Sequence, residues 1–302
     1  MKKPKMAVVG SLNMDLVLSL ERLPVIGETL LGKEIHYISG GKGANQAVGS
    51  ARLGAEVIMI GAVGDDMFGT QIISRMEQFG VNTSAIAMKQ DTPTGTATIL
   101  HTEEDNCIVI IPGANELCDS DMVEAHADAI RSADILLVQL EIPLPAVERA
   151  MRIAASAGVT IVLNPAPALP LAEELIGLAD IFTPNETEFA HYSGTSCESE
   201  EELIRQMGNW QERYGKTLIV TRGESGVSCI NKDGLIHVPA RKVKPVDTTG
   251  AGDCFNAAFG FAIASGRELE ASLNFAVKAA SLSVTKFGAQ DGMPSLDEVE
   301  GA

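Results

Sequence analysis

The residues best placed to do chemistry are the run Val246-Asp247-Thr248-Thr249-Gly250-Ala251-Gly252-Asp253, after which Phe255, Phe259 and Ile263 recur at helical spacing. A glycine-rich turn that opens a helix presents unpaired backbone N–H groups and the positive end of the helix dipole, and together these receive an anion. Asp253 falls in the first helical turn, where the dipole favours its ionised form. A carboxylate of ordinary pKa, about 4, is a weak base towards an alcohol. In phosphoryl transfer the transition state is loose, so the proton need only be accepted late, and position and charge stabilisation carry the rest. The plainer alternative is an Asp253 that merely complements the dipole behind a flexible turn.

A second run, Ser39-Gly40-Gly41-Lys42-Gly43-Ala44-Asn45-Gln46, leads into a helix patterned by Ala44, Ala47, Val48 and Ala51. It is not a Walker P-loop, which would need glycine at position 36 and Ser or Thr at position 43, where the chain has His36 and Gly43. Three glycines among four residues, flanked by Lys42 and Asn45, suit a backbone that touches a small polyhydroxylated ligand. A third run, Gly10-Ser11-Leu12-Asn13-Met14-Asp15, follows the first apolar segment, at the edge where open α/β sheets hold ligands. Asn13 and Asp15, two apart, point the same way from an extended chain. A carboxylate there could clamp two neighbouring hydroxyls, or the pair could simply cap a turn. Glu141, Asn164, Asn185 and Glu188 also stand at expected strand ends. Asn185 and Glu188, three apart, read either as a helix cap or as a pair that orients water around Mg²⁺. Thr221-Arg222-Gly223-Glu224-Ser225-Gly226 could let a nucleotide pass close to its glycines.

Positioning these residues requires strands that end together. Met6–Gly10, Val57–Gly61, Ile135–Val138, Thr160–Leu163, Ile181–Thr183 and Leu218–Thr221 are apolar runs between amphipathic segments, which predicts a parallel sheet covered by helices. The alternation defines an α/β layered fold with right-handed crossovers. Two stretches break the rhythm: Asp15–Leu20 with Thr29–Ser39, and Thr94–His101 with Cys107–Ile111 around Glu103-Glu104-Asp105-Asn106. They predict antiparallel pairs in a small sheet, a discontinuous lid of about 15–39 and 94–111 on a single domain spanning 1–302. An apolar exposed face on such a lid would invite a second copy of the chain, giving a homodimer.

Composition narrows the classes. At 45% hydrophobic and 21% charged the 302 residues are those of a folded globular chain, and a net charge of −17 argues against nucleic acid as a partner. No apolar run approaches the ~18 residues of a membrane span. The five cysteines form no C-x-x-C pair, so neither a disulfide framework nor a zinc site is expected and a reducing cytoplasm fits.

Taken together, Gly40-Gly41-Lys42-Gly43-Ala44-Asn45-Gln46-Ala47 and Asp247-Thr248-Thr249-Gly250-Ala251-Gly252-Asp253 resemble the two signatures of the ribokinase-like (PfkB) carbohydrate kinases, and the likeness runs from about Val8 to Pro294. The resemblance implies a three-layer α/β kinase with a β-lid that uses ATP to phosphorylate a sugar, with ribose favoured, at its primary hydroxyl. It implies that Asn13, Asp15, Gly41, Lys42, Gly43, Ala44, Asn45 and Glu141 hold the sugar, that Asp253 is the base, and that Gly250, Ala251 and Gly252 form the anion hole. Asn185, Glu188, Thr221, Arg222, Gly223, Glu224, Ser225 and Gly226, with Gly252 and Asp253, would serve the nucleotide and its Mg²⁺, and Val277 would lie beside the base. Asp247, Thr249, Ser283, Lys286, Gly288 and Gly292 match the place of an activating monovalent cation, potassium. Relatives commonly read Gly-Ala-Gln-Pro-Ser where this chain reads Gly288-Ala289-Gln290-Asp291-Gly292, so a serine side chain is missing from that set. The rival readings are a sibling kinase acting on deoxyribose, another sugar or a nucleoside, and a non-catalytic sugar-binding regulator. A Rossmann dehydrogenase would need G-x-G-x-x-G after the first strand and lacks it.

Overall fold

Strands rich in Val, Ile and Leu and bounded by Gly, Pro or Asn are buried on both faces only where helices cover both sides of a sheet. The computed structural model describes residues 3–102, 106–197 and 199–302, so the turn residues Glu103, Glu104 and Asp105 lie outside the described part. The strands in chain order are β1 (Lys5–Val9), β2 (Asn13–Ser19), β3 (Glu34–Gly40), β4 (Glu56–Gly64), β5 (Asn82–Lys89), β6 (Gly95–His101), β7 (Asn106–Ile111), β8 (Ile135–Val138), β9 (Thr160–Leu163), β10 (Ile181–Phe182), β11 (Thr217–Thr221), β12 (Val227–Asn231) and β13 (Gly234–Val238). A nine-stranded sheet has the order β13-β12-β11-β10-β9-β8-β1-β4-β5. Pairing is parallel from β11 through to β5 and antiparallel across β11-β12-β13. All six expected apolar runs fall in the parallel part. The edge strand β5 and the β12–β13 hairpin go beyond the sequence reading.

Side chains alternate along β1, so Met6 and Val8 face one layer while Ala7 and Val9 face the other. The first layer packs the helices Lys42–Arg52, Ala251–Ala264 and Leu269–Ser283 on the sheet, and the second packs Leu144–Ala157 and Glu200–Tyr214. The Ala251–Ala264 helix is buried along nearly its whole length, with the Phe255 and Phe259 rings stacked at 5.9 Å. Its apolar surround fixes the direction in which its first turn points. Because β1, β8 and β9 run parallel in register, Val9 level with Val138 and Val138 with Leu163, the segments after all three emerge at one edge.

The second sheet has the order β3-β2-β6-β7. The pairs β2/β3 and β6/β7 are antiparallel, as expected, and the two pairs meet through a parallel contact in which Asp15 is level with Ala97. β3 begins at Glu34 rather than at Thr29, since the exposed stretch before it is interrupted by Gly32 and is bridged to the sheet only by the bond from Lys33 N–H to Ser19 O (2.8 Å).

Phe259 is fully buried beneath the glycine-rich turn. Phe259→Ala should lower stability by about 3–5 kcal/mol, read as an earlier urea midpoint with an unchanged m-value.

Candidate active site

The backbone after β1 and the start of the Lys42–Arg52 helix interlock. Gly41 has φ +88°, and a Cβ on it would lie 2.7 Å from Asn13 N and 2.8 Å from Ser11 O, so no other residue fits. Ala44 N–H donates to Ser11 O (2.9 Å) and Gly43 N–H to Ser11 Oγ (3.4 Å). Gly43 and Ala44 are therefore buried supports of the loop. Ser11 Oγ donates to Glu141 Oε2 (2.6 Å), Lys42 N–H reaches the same oxygen (3.2 Å), and Lys42 Nζ stands 3.9 Å from Glu141 Oε1. Asn115 holds the other side: its Oδ1 accepts from Leu12 N–H (2.9 Å) and its Nδ2 donates to Asn13 Oδ1 (2.8 Å). Asp15 lies over Gly40, where an added Cβ would sit 2.2 Å from Oδ2. Asn13, Asp15, Gly41, Lys42 and Glu141 thus come together at one sheet edge.

Asp253 closes this group from the opposite side. It is 7% exposed, and both oxygens accept amide N–H groups, Oδ2 from Asn45 Nδ2 (2.9 Å) and Oδ1 from Gln46 Nε2 (3.1 Å). A carboxylate has about four acceptor positions, so a proton can still be received. Gly250 caps the helix in the left-handed region (φ +75°) and no side chain caps it. Ala251 N–H turns back to Thr248 O (3.2 Å). The N–H groups of Gly252 and Asp253 have no acceptor among the described residues. The Gly250 N–H likewise has no acceptor among the described residues, so of the three amides expected at Gly250–Gly252 only that of Ala251 is engaged.

Four carboxylates surround one ammonium. Burial, reinforced by Glu141 and Asp253 and opposed by Lys42, pushes Asp15 up to about 7. Burial also raises Asp253, against Lys42 and the two amide donors, and raises Glu188. Lys42 is pulled down by its own burial, but Asp253, Glu141, Glu188 and Asp15 outweigh that and hold it above its ordinary value.

Asn185 and Glu188 form a capping box on the Glu186–Ser193 helix, with Glu188 N–H on Asn185 Oδ1 and Asn185 N–H on Glu188 Oε2, both 2.8 Å. The helix-cap reading is thus realised. An isolated bridge joins Asn185 to Thr221, so the two loops share one edge. Gly223 (φ +52°) and Gly226 (φ +90°) shape the turn between. Arg222 points away from the cleft, to Glu186 and Glu200 (3.3 Å each) and Ser228 Oγ (3.2 Å), while Glu224 and Ser225 are exposed. Val277 lines an open groove of about 350 Å³ with Val238, Arg241, Asn274 and Lys278.

Among the potassium candidates, Asp247 Oδ1 accepts from Thr249 N–H and Oδ2 from Gly288 N–H, both 2.9 Å. Ser283 Oγ donates to Ala280 O (2.8 Å) and Lys286 Nζ pairs with Glu298 (2.6 Å), which leaves their carbonyls as the available groups. A Cβ at Gly292 would lie 2.7 Å from Ser283 O and 3.5 Å from Lys286 O. These carbonyls converge where the serine side chain of relatives is missing, a donor set of the kind that replaces the hydration shell of potassium. Neighbouring Asp291 instead pairs with Arg75 of the Met67–Gln78 helix.

Sequence reasoning missed the buried amides: Gln46, Asn115, Gln139 and Gln290 were not singled out as site residues. The signal was available as uncharged polar side chains inside otherwise apolar, helical or strand-ending segments.

A model of the pfkB family carbohydrate kinases matches residues 3–296. The chain belongs to that family. A ribokinase of Bacillus subtilis (strain 168) is 44% identical over 297 residues, with 97% of each chain covered. A deoxyribokinase of Salmonella typhi is 35% identical over 294 residues, with 97% of this chain and 96% of the relative covered. The solved structure of the Arabidopsis thaliana ribokinase complexed with ribose and ATP superposes with a TM-score of 0.94 at 33% identity, covering 99% of this chain and 98% of that one.

A carboxylate accepts from two neighbouring hydroxyls only when ionised, so a sugar held by Asp15 would report its titration. Ribose affinity, read by calorimetry, should therefore strengthen as pH rises through about 7 and weaken below it. Asp15→Asn should bind more weakly and with that pH dependence flattened.

Proposed function

We propose that this chain transfers the γ-phosphoryl group of ATP to the primary hydroxyl of D-ribose, giving ribose 5-phosphate, with Asp253 as the base. One observation carries the reading: a buried carboxylate, held by two amides, stands in the first turn of a helix whose adjacent N–H groups are free. Asn13, Asp15, Gly41, Lys42, Asn45 and Glu141 hold the sugar so that its primary hydroxyl faces Asp253. The hydroxyl oxygen attacks the γ-phosphorus while the bond to the ADP oxygen breaks, and the proton passes to Asp253. The N–H groups of Gly250, Gly252 and Asp253 meet charge on the transferring group.

The nucleotide lies along Asn185, Thr221 and the Gly223–Gly226 turn, with its base towards Val277 and the adjoining groove. Mg²⁺, when bound to the nucleotide, neutralises phosphate charge near Asn185 and Glu188, largely through water. Potassium, when bound among Asp247 and the carbonyls of Thr249, Ser283, Lys286 and Gly288, braces the anion-receiving turn. The second sheet acts as a lid, since β2 carries Asn13 and Asp15. Five free thiols suit the cytoplasm.

The deoxyribokinase relative sustains a second reading, in which the sugar lacks the 2-hydroxyl. A sugar panel in a coupled assay separates the two: ribose should show the highest kcat/KM, and a higher value for deoxyribose would reassign the substrate. In the same assay Asp253→Asn should lose turnover while ribose binding stays within a few-fold; unchanged turnover would remove the base.

Ile108, Val109, Ile110 and Ile111 on edge strand β7 are each about half exposed, with Ile35 and Tyr37 on the other edge. An apolar edge strand of this kind requires cover. A second copy supplies it, making a homodimer through the lid. Light scattering should give the mass of a dimer at micromolar concentration, and Ile110→Lys should shift it towards the monomer.

A further inference from the structure

The amides around Asp253 are themselves oriented, and not in the same way on the two sides. An Asn or Gln side chain can present either its NH₂ or its carbonyl to a neighbour, and only the NH₂ stabilises a carboxylate. On the Oδ1 side the direction is set by the backbone. Thr183 O can only accept, so Asn164 turns its Nδ2 to it (2.9 Å) and its Oδ1 to Gln46 Nε2 (3.2 Å). Gln46 Nε2 therefore faces Asp253, and its Oε1 accepts from Gln139 Nε2 (2.7 Å).

On the Oδ2 side no backbone carbonyl fixes Asn45. Its Nδ2 faces Asp253, and its Oδ1 accepts from Gln290 Nε2 (3.2 Å). Gln290 is 3% exposed and leaves its own Oε1 buried with no partner among the described residues. That penalty is tolerated because the reverse orientation would set two carbonyl oxygens face to face. Gln290 lies between Gly288, tied to Asp247, and Asp291, tied to Arg75. The C-terminal loop thus reaches Asp253 through a single amide.

We propose that Gln290 is a positioning residue for the phosphoryl transfer, fixing the Asn45 amide so that its NH₂ rather than its oxygen meets Asp253. The inference rests on Asp253 as the base. Without Gln290, only Asp253 orients Asn45, whose amide can then turn its oxygen to the protonated carboxyl, so that the proton is held more tightly. The charged groups that bear on Asp253 are Lys42, which favours ionisation, and Glu141, Asp15 and Glu188, which oppose it. Gln290→Met leaves all four in place.

The test is the pH profile of kcat at saturating ribose and ATP. In Gln290→Met the acidic limb should move up by about one unit, with kcat on that limb falling roughly tenfold while KM for ATP stays within about twofold. Gln139→Met should move it by less than about half a unit, because Asn164 and Thr183 still orient Gln46. Asp291→Asn, which disturbs the same loop and spares the amide, should leave the limb where it is. If Gln290→Met does not fold, Gln290→Leu removes the same hydrogen bond without adding a charge, and should shift the limb in the same direction. An unmoved limb in the Gln290 variant, or an equal shift in Asp291→Asn, would overturn the proposal. An active Asp253→Asn would instead remove the base on which it rests, so the two failures are told apart.

Discussion

A carboxylate removed from water without a cation in contact is the constraint on which this molecule depends. Burial pushes Asp253 towards its neutral form, and a neutral carboxyl cannot take a proton. The chain answers with directed N–H groups on both oxygens and with a helix terminus below. Those donors come from two distant parts of the sequence, Asn45 and Gln46 from the first glycine-rich run and the terminus from the second. The two runs, two hundred residues apart, therefore act as one structure. The long apolar helix that follows Asp253 holds the geometry, since its buried faces leave it no alternative packing.

The sheet supplies the common edge. Parallel strands deliver their carboxyl ends to one side, so Ser11 and Asn13 after β1, Gln139 and Glu141 after β8, and Asn164 after β9 become neighbours without any long loop. The small sheet reverses that economy. β2 leaves the edge carrying Asn13 and Asp15, pairs with β3, and returns the chain directly into Gly41. The residues proposed to face the sugar are consequently shared between the main sheet and the projecting one.

Much of this was legible in the residues. The apolar runs gave the parallel strands because burial on both faces imposes its own composition, and the glycine runs gave the turns because a positive φ at Gly41 and Gly250 admits little else. β5 stayed hidden because Asn82-Thr83-Ser84 reads as a loop when only one neighbouring strand covers it. The amide network stayed hidden for a different reason. Uncharged polar side chains inside apolar segments mark the amides, but their role lies in direction rather than in type, which only the fold supplies. The amides of the helix start are of the same kind: the run marks the start, but the bond from Ala251 to Thr248 decides which of them is engaged.

The electrostatic balance explains how so acidic a chain can receive a triphosphate. Asp15, Glu141, Glu188 and Asp253 all bear on Lys42 and hold it above its ordinary value, so that ammonium is ringed by acid side chains. Arg222, the guanidinium nearest the nucleotide loop in sequence, is likewise turned to Glu186 and Glu200. Anion recognition falls to backbone dipoles, which carry no charge to be neutralised by the surrounding acids and need no reorganisation as charge shifts during transfer. Dipoles are effective only when fixed. The close packing of the Ala251–Ala264 helix, the tie from Asp247 to Gly288 and the oriented amides therefore serve one end, since each removes a motion that would let water or the wrong atom face the reacting group.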